Sequence, residues 1–133
     1  ALCGVAYKQK DGVADKFDIH AEHTCDCWLW QDTNKFTVND VHVDSDIFDV
    51  TFGLYLPGEE QVAEFGTQFW KPNEFEEDLT KSLIRENCQL IDQLPFTNGT
   101  VYFIPRSANA WHSSPIINKD IVRKHVYGYY KTS

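Results

Sequence analysis

Short runs of alternating hydrophobic and polar residues recur along this chain and predict a mainly β structure with few helices. The predicted strands cover residues 2–7, parts of 17–30, then 47–56, 66–70, 101–104 and 123–130. Turn-forming sequences separate them, of which Pro57-Gly58 and Asn98-Gly99 give the clearest signals. In the last strand, alternation places Arg123, His125, Tyr127 and Tyr129 on one face, and Lys124 on the other.

One stretch, residues 73–91, has helical periodicity instead. Asn73 is a suitable N-cap, acidic residues follow it, and apolar residues recur at three- and four-residue intervals. We therefore expect a helix here, serving either as a packing element or as a lid over a site.

Composition indicates one globular domain over residues 1–133, because 42% of the 133 residues are hydrophobic and 14% are aromatic. The net charge of −8 argues against nucleic acid as a partner. The sequence shows neither a signal-type segment nor an apolar run of membrane-spanning length, so we expect a cytoplasmic protein without a membrane partner. We expect its four cysteines to be reduced, with two disulfides as the alternative.

The sequence His42-Val43-Asp44 carries the first candidate chemistry. Residues two apart on a strand share a face, so this imidazole and carboxylate can converge on one metal ion. They would supply two of the three ligands of a 2-His-1-carboxylate site, which suits Fe(II). Asp46 is a rival carboxylate, but the spacing favours Asp44. The best candidate for the third ligand is His112, just beyond an apolar strand.

A basic residue near such a centre could bind the far end of a chelating ligand. Arg123 opens the last strand eleven residues after His112, and its guanidinium fork matches a carboxylate. Together these residues describe a site for a metal-chelating dicarboxylate. Arg106 is a second basic residue, either exposed at the surface or in contact with an acidic substrate.

The ordered set His42, Asp44, His112 and Arg123 resembles the Fe(II)- and 2-oxoglutarate-dependent oxygenases, particularly their prolyl-hydroxylase-like branch. Residues 50–57 (VTFGLYLP) and 65–70 (FGTQFW) resemble the family's strand after the HxD motif and its glycine-threonine segment. The resemblance covers residues 36–130 and implies a double-stranded β-helix, a jelly-roll barrel. Because the segment before His42 is short compared with that of many relatives, we expect a minimal or truncated form of this fold.

The resemblance also implies a function. His42, Asp44 and His112 would hold Fe(II), and Arg123 would bind the far carboxylate of 2-oxoglutarate. Dioxygen would be the oxidant and ascorbate an accessory reductant, and the product would be a hydroxylated C–H bond in a small molecule or in a peptide side chain such as proline. Many relatives add a tyrosine to the carboxylate anchor; strand parity here places Leu54 in that position, and Tyr55 only if the register differs by one. The family's glycine, Gly66 here, would let the backbone approach the metal.

Two other functions stay open. The chain could be a non-catalytic, cupin-like jelly-roll that binds a metal or ligand, because the same three ligands accept several divalent ions. A zinc module could instead use His20, His23, Cys25 and Cys27. Because their spacing matches no common zinc motif, this is the least favoured of the three functions. Trp28 and Trp30 could line the mouth of a pocket or pack in the core. The substrate and the oligomeric state are left open.

Overall fold

The computed structural model describes residues 23–34, 40–58, 63–118 and 120–132. Seven strands account for most of the regular structure there, so the prediction of a mainly β protein is confirmed. The strands are β1 (His23–Asp32), β2 (Val50–Tyr55), β3 (Gln68–Pro72), β4 (Cys88–Gln93), β5 (Val101–Pro105), β6 (His112–Ser113) and β7 (Arg123–Thr132). The predicted strand at residues 2–7 lies outside the described residues.

The strands form two antiparallel sheets, a four-stranded sheet in the order β1-β7-β2-β5 and a three-stranded sheet in the order β4-β3-β6. In the larger sheet Arg123 lies opposite Asp32, and His125 lies between Trp30 and Tyr55. Directly opposed residues share a face. One face of this sheet therefore carries polar and aromatic side chains from three strands.

A shared core joins the two sheets. Ile104 of the larger sheet packs in one buried cluster with Trp70 of the smaller sheet and with Trp111, which precedes β6. Val41 belongs to the same cluster and pairs with Leu83 through two backbone hydrogen bonds of 2.9 and 2.7 Å. These contacts fix the segment that leads into His42.

The helix predicted over residues 73–91 is wrong. Residues 88–93 instead form β4, which pairs with β3, and the chain before it is irregular apart from a 3₁₀ turn at Arg85–Asn87. The expected apolar stripe is not buried as one face, because Phe75 is 87% exposed and Ile91 is 62% exposed. Asp78 accepts hydrogen bonds from the backbone and the hydroxyl of Thr80, which favours a local turn over a helix.

Gly66 is needed for a close backbone approach, although not to the metal site. A Cβ at Gly66 would lie 1.6 Å from the carbonyl oxygen of Leu94. Gly66 was expected to let the backbone approach the metal centre. In the structure it lets the backbone approach Leu94, in the chain that follows β4.

The expectation of reduced cysteines is wrong at Cys27, which is disulfide-bonded, whereas Cys25 and Cys88 are thiols. Cys25 and Cys27 pack from β1 against the cluster of Val50, Phe52, Val126 and Tyr130. In the described part of the chain, no helix is long and apolar enough to cross a membrane.

Candidate metal centre

His42 and His112 are brought together by a short antiparallel bridge. The backbone N–H of His42 donates to the carbonyl of His112 at 3.0 Å, and the reverse hydrogen bond is 2.9 Å. The two ring centroids lie 4.7 Å apart. Tertiary pairing thus places two imidazoles, 70 positions apart in the sequence, side by side.

Asp44 completes the group. Its carboxylate oxygens lie 3.5 Å from Nε2 of His42 and 3.4 Å from Nε2 of His112. The hydroxyl of Thr51 donates to Oδ2 of Asp44 at 2.7 Å, and Nε of Arg106 donates to the Asp44 backbone carbonyl at 3.1 Å. Arg106 therefore holds the backbone of Asp44, a role that the sequence did not suggest. The rival Asp46 is exposed and outside the group.

Both imidazoles are oriented for metal binding. Nδ1–H of His42 donates to the carbonyl of Asp40 at 3.0 Å, and Nδ1–H of His112 donates to the carbonyl of Ala110 at 2.8 Å. These bonds leave each Nε2 lone pair directed at the shared space, the usual arrangement of metal-ligating histidines. One ligand atom from each of His42, Asp44 and His112 lies within 4.8 Å of the other two, so the three residues fit one metal ion.

Metal binding should weaken as the pH falls. Burial alone would lower the pKa of His42, but hydrogen bonds to Asp44 and Asp40 outweigh it and raise the pKa above 6.5. A metal must then displace a proton from this ring below the raised pKa, so we expect affinity to drop by up to about tenfold per pH unit there. Calorimetric titrations in buffers of different ionisation enthalpy would show proton release; a constant affinity between pH 6 and 8, about the ordinary histidine range, would contradict this expectation.

A cavity of about 220 Å³ opens beside the three ligands. Arg123, His125, Tyr127 and Trp30 line it together with the metal group, so one face of β7 does enter the same cavity. Trp30 therefore lines the pocket, whereas Trp28 stacks on Tyr127 with ring centroids 6.3 Å apart.

Arg123 is buried and already paired within the chain. Its Nη1 donates to Oδ2 of Asp32 at 2.6 Å, and its Nε donates to the carbonyl of Phe65 at 2.6 Å. Both Arg123 and Asp32 are 1% exposed. The sequence analysis did not single out Asp32, although this residue continues the face of β1 that carries Trp28 and Trp30.

Tyr55, rather than Leu54, faces the arginine. Tyr55 is fully buried, and the guanidinium of Arg123 lies 5.4 Å from the centre of its ring. Its hydroxyl donates to Oγ1 of Thr67 at 2.8 Å and accepts from the Thr67 backbone at 2.6 Å. Leu54 packs on the opposite side, with Val126 and Phe52. The parity argument for Leu54 is therefore wrong, since β2 has the register that turns Tyr55 inward.

The alternative zinc module loses one of its four ligands, because the sulfur of Cys27 is held in a disulfide. His20 lies outside the described residues. Among the residues that the structure does describe, neither Cys25 nor Cys27 belongs to a group that could hold a metal ion.

Comparisons with known proteins add no family to this geometry: no family model, no curated protein and no solved structure matches the chain.

Proposed function

We propose that this protein is an Fe(II)-dependent oxygenase that uses a 2-oxo acid, of which 2-oxoglutarate is the one implied by the family resemblance, to hydroxylate a C–H bond. The substrate would be a protein side chain of the prolyl type or a small metabolite, and the two sheets would belong to a double-stranded β-helix. The observation that carries the proposal is that one ligand atom from each of His42, Asp44 and His112 lies within 4.8 Å of the other two, beside a cavity.

The chain's own residues would orient the metal and leave room around it. His42, Asp44 and His112 supply three ligands, so further coordination positions stay available to a chelating 2-oxo acid and to oxygen. Bound Fe(II) would supply the redox chemistry that couples decarboxylation of the 2-oxo acid to hydroxylation. The role of Thr51 and Arg106 would be to fix Asp44 in this geometry.

Arg123 supports the proposal by its place in the cavity. It is the one lysine or arginine that lines the cavity among the described residues, and it is held rigid by Phe65 and by the rings of Tyr55 and Phe96. A 2-oxo acid chelated at the metal would extend into the space that this side chain borders.

The pairing of Arg123 with Asp32 favours a second candidate function, a non-catalytic metal-binding jelly-roll. The buried charge of Arg123 is already neutralised by Asp32, so the presence of this arginine does not require a dicarboxylate ligand. In this alternative the three ligands would hold a divalent ion without oxygen chemistry.

Anaerobic titration of the metal-free protein with Fe(II) and then 2-oxo acid distinguishes the two functions. We expect a visible metal-to-ligand charge-transfer band with millimolar 2-oxoglutarate, and its loss in His112→Ala. Asp46→Ala, which removes an exposed carboxylate outside the group, should keep the band. A folded protein that binds Fe(II) but gives no band with 2-oxoglutarate or with a 2-oxo acid of uncharged tail would support the metal-binding alternative.

A further inference from the structure

Arg123, which lines the cavity, is neutralised by the buried carboxylate of Asp32. Oδ2 of Asp32 accepts from Arg123 at 2.6 Å, and Oδ1 accepts from the indole N–H of Trp30 at 2.8 Å. Nε2 of His125 lies 3.2 Å from Oδ2 of the same carboxylate. Asp32 is thus fixed by three side chains, two of them from β7, and cannot leave Arg123 without breaking several buried contacts.

Asp32 stays ionised in this setting. Burial alone would raise the pKa of Asp32, but the hydrogen bond from His125 and the charge of Arg123 bring that pKa below its ordinary value. At neutral pH the carboxylate therefore cancels the positive charge of Arg123.

His125 adds no positive charge. Burial, helped by the charge of Arg123, lowers the pKa of His125 in spite of the neighbouring Asp32, so the ring is neutral near pH 7. With Nε2–H donating to Asp32, Nδ1 carries a lone pair, and this buried atom has no hydrogen-bond partner among the described residues. A carboxylate has only acceptor atoms and gains no hydrogen bond from such a nitrogen.

The remaining walls combine the aromatic rings of Trp30, Tyr102 and Tyr127 with the hydroxyl-bearing residues Thr67, Ser113 and Ser114. Trp30, Tyr102 and Tyr127 line the cavity, and burial raises the pKa of Tyr102 and Tyr127, so both stay protonated. Oγ1 of Thr67 already accepts from Tyr55, and Oγ of Ser113 already accepts from Trp70. A second carboxylate placed here would therefore meet one neutralised arginine, aromatic rings and a few hydroxyls, which compensate its lost hydration less than an unpaired arginine would.

We propose that Asp32 is a specificity-determining residue, which neutralises Arg123 so that the cavity prefers a 2-oxo acid with an uncharged far end over the dicarboxylate 2-oxoglutarate. This inference rests on the proposed oxygenase function and narrows its cosubstrate class. It predicts that loss of the Asp32 charge alone restores a dicarboxylate site.

The test compares 2-oxoglutarate with 5-methyl-2-oxohexanoate, in which an isopropyl group replaces the far carboxylate without changing the number of non-hydrogen atoms. Dissociation constants are read anaerobically from the charge-transfer band of the Fe(II) protein. The wild type should bind the uncharged acid more tightly. In Asp32→Asn, 2-oxoglutarate should bind about tenfold to a hundredfold more tightly than in the wild type, since one like charge near the carboxylate is removed. Binding of the uncharged acid should change little.

The double variant Asp32→Asn/Arg123→Gln keeps the site neutral and is the matched control: it should prefer the uncharged acid, as the wild type does. If Asp32→Asn does not fold, the wild-type comparison decides alone. Tighter wild-type binding of 2-oxoglutarate would overturn the specificity proposal but leave the oxygenase function intact. No band with either acid in the folded wild type would overturn both.

Discussion

Asp44→Asn is expected to weaken the binding of Fe(II) or Co(II) by about a hundredfold or more, since loss of even an indirect partner of a metal ligand costs about 10- to 100-fold. The carboxylate lies within 3.5 Å of Nε2 in both histidines, and it is the sole negative charge in the group. The amide of asparagine has nearly the same shape as the carboxylate but carries no charge. Calorimetry on the metal-free protein would measure the change.

The matched control for this substitution is Asp46→Asn. Asp46 lies two residues away and is exposed, and it does not belong to the metal group. Its substitution should leave the dissociation constant within about twofold, as for surface changes worth less than about 0.5 kcal/mol. Equal losses in the two variants would contradict the assignment of Asp44 as the ligand.

Arg123→Leu is expected to lower the free energy of unfolding by about 3–5 kcal/mol, because it leaves the buried carboxylate of Asp32 without its cationic partner. Lys124→Leu, at the exposed neighbouring position on β7, should change stability by less than about 0.5 kcal/mol. Denaturant unfolding of both variants would measure the difference. A loss below about 1 kcal/mol for Arg123→Leu would show that the pair contributes no more than a surface ion pair.

The loss of unfolding free energy in Arg123→Leu should also depend on pH. In the wild type, burial and also the charge of Arg123 keep the pKa of His125 below 6.5. Neutral His125 therefore contributes to the free energy of unfolding above pH 6.5, and this contribution is lost as the pH falls. Removing Arg123 raises that pKa, which lets His125 take up a proton beside Asp32. The gap in stability between wild type and variant should therefore narrow below about pH 6.5.

The positions of the candidate ligands could largely be predicted from the sequence. His42 and Asp44 are two residues apart in an extended segment, and that spacing alone aims both side chains to one side. The alternation along β7 likewise predicted that Arg123, His125 and Tyr127 share a face, and all three line the cavity. These features follow from local backbone geometry, which repeats every two residues in any strand.

Residues 73–91 show where local pattern failed. Apolar spacing there fits a helix, yet β3 offers a free edge to which residues 88–93 pair, and Leu79 and Leu83 reach the core from an irregular segment. The hydrogen bonds gained by joining an existing sheet outweigh an intrinsic helical preference, which is worth only a few tenths of a kcal/mol per residue, about 0–0.7.

The sequence by itself determined the β character of the chain and the order of the candidate metal ligands and of the basic residues. The tertiary structure alone decided that Asp32 meets Arg123, since the register of β1 on β7 pairs positions 91 residues apart. It also decided that Tyr55, not Leu54, faces the guanidinium. Both results have the same physical reason. The charge and hydrogen bonding of a buried side chain depend on which strands are neighbours, and the packing of the whole sheet determines those neighbours and their register.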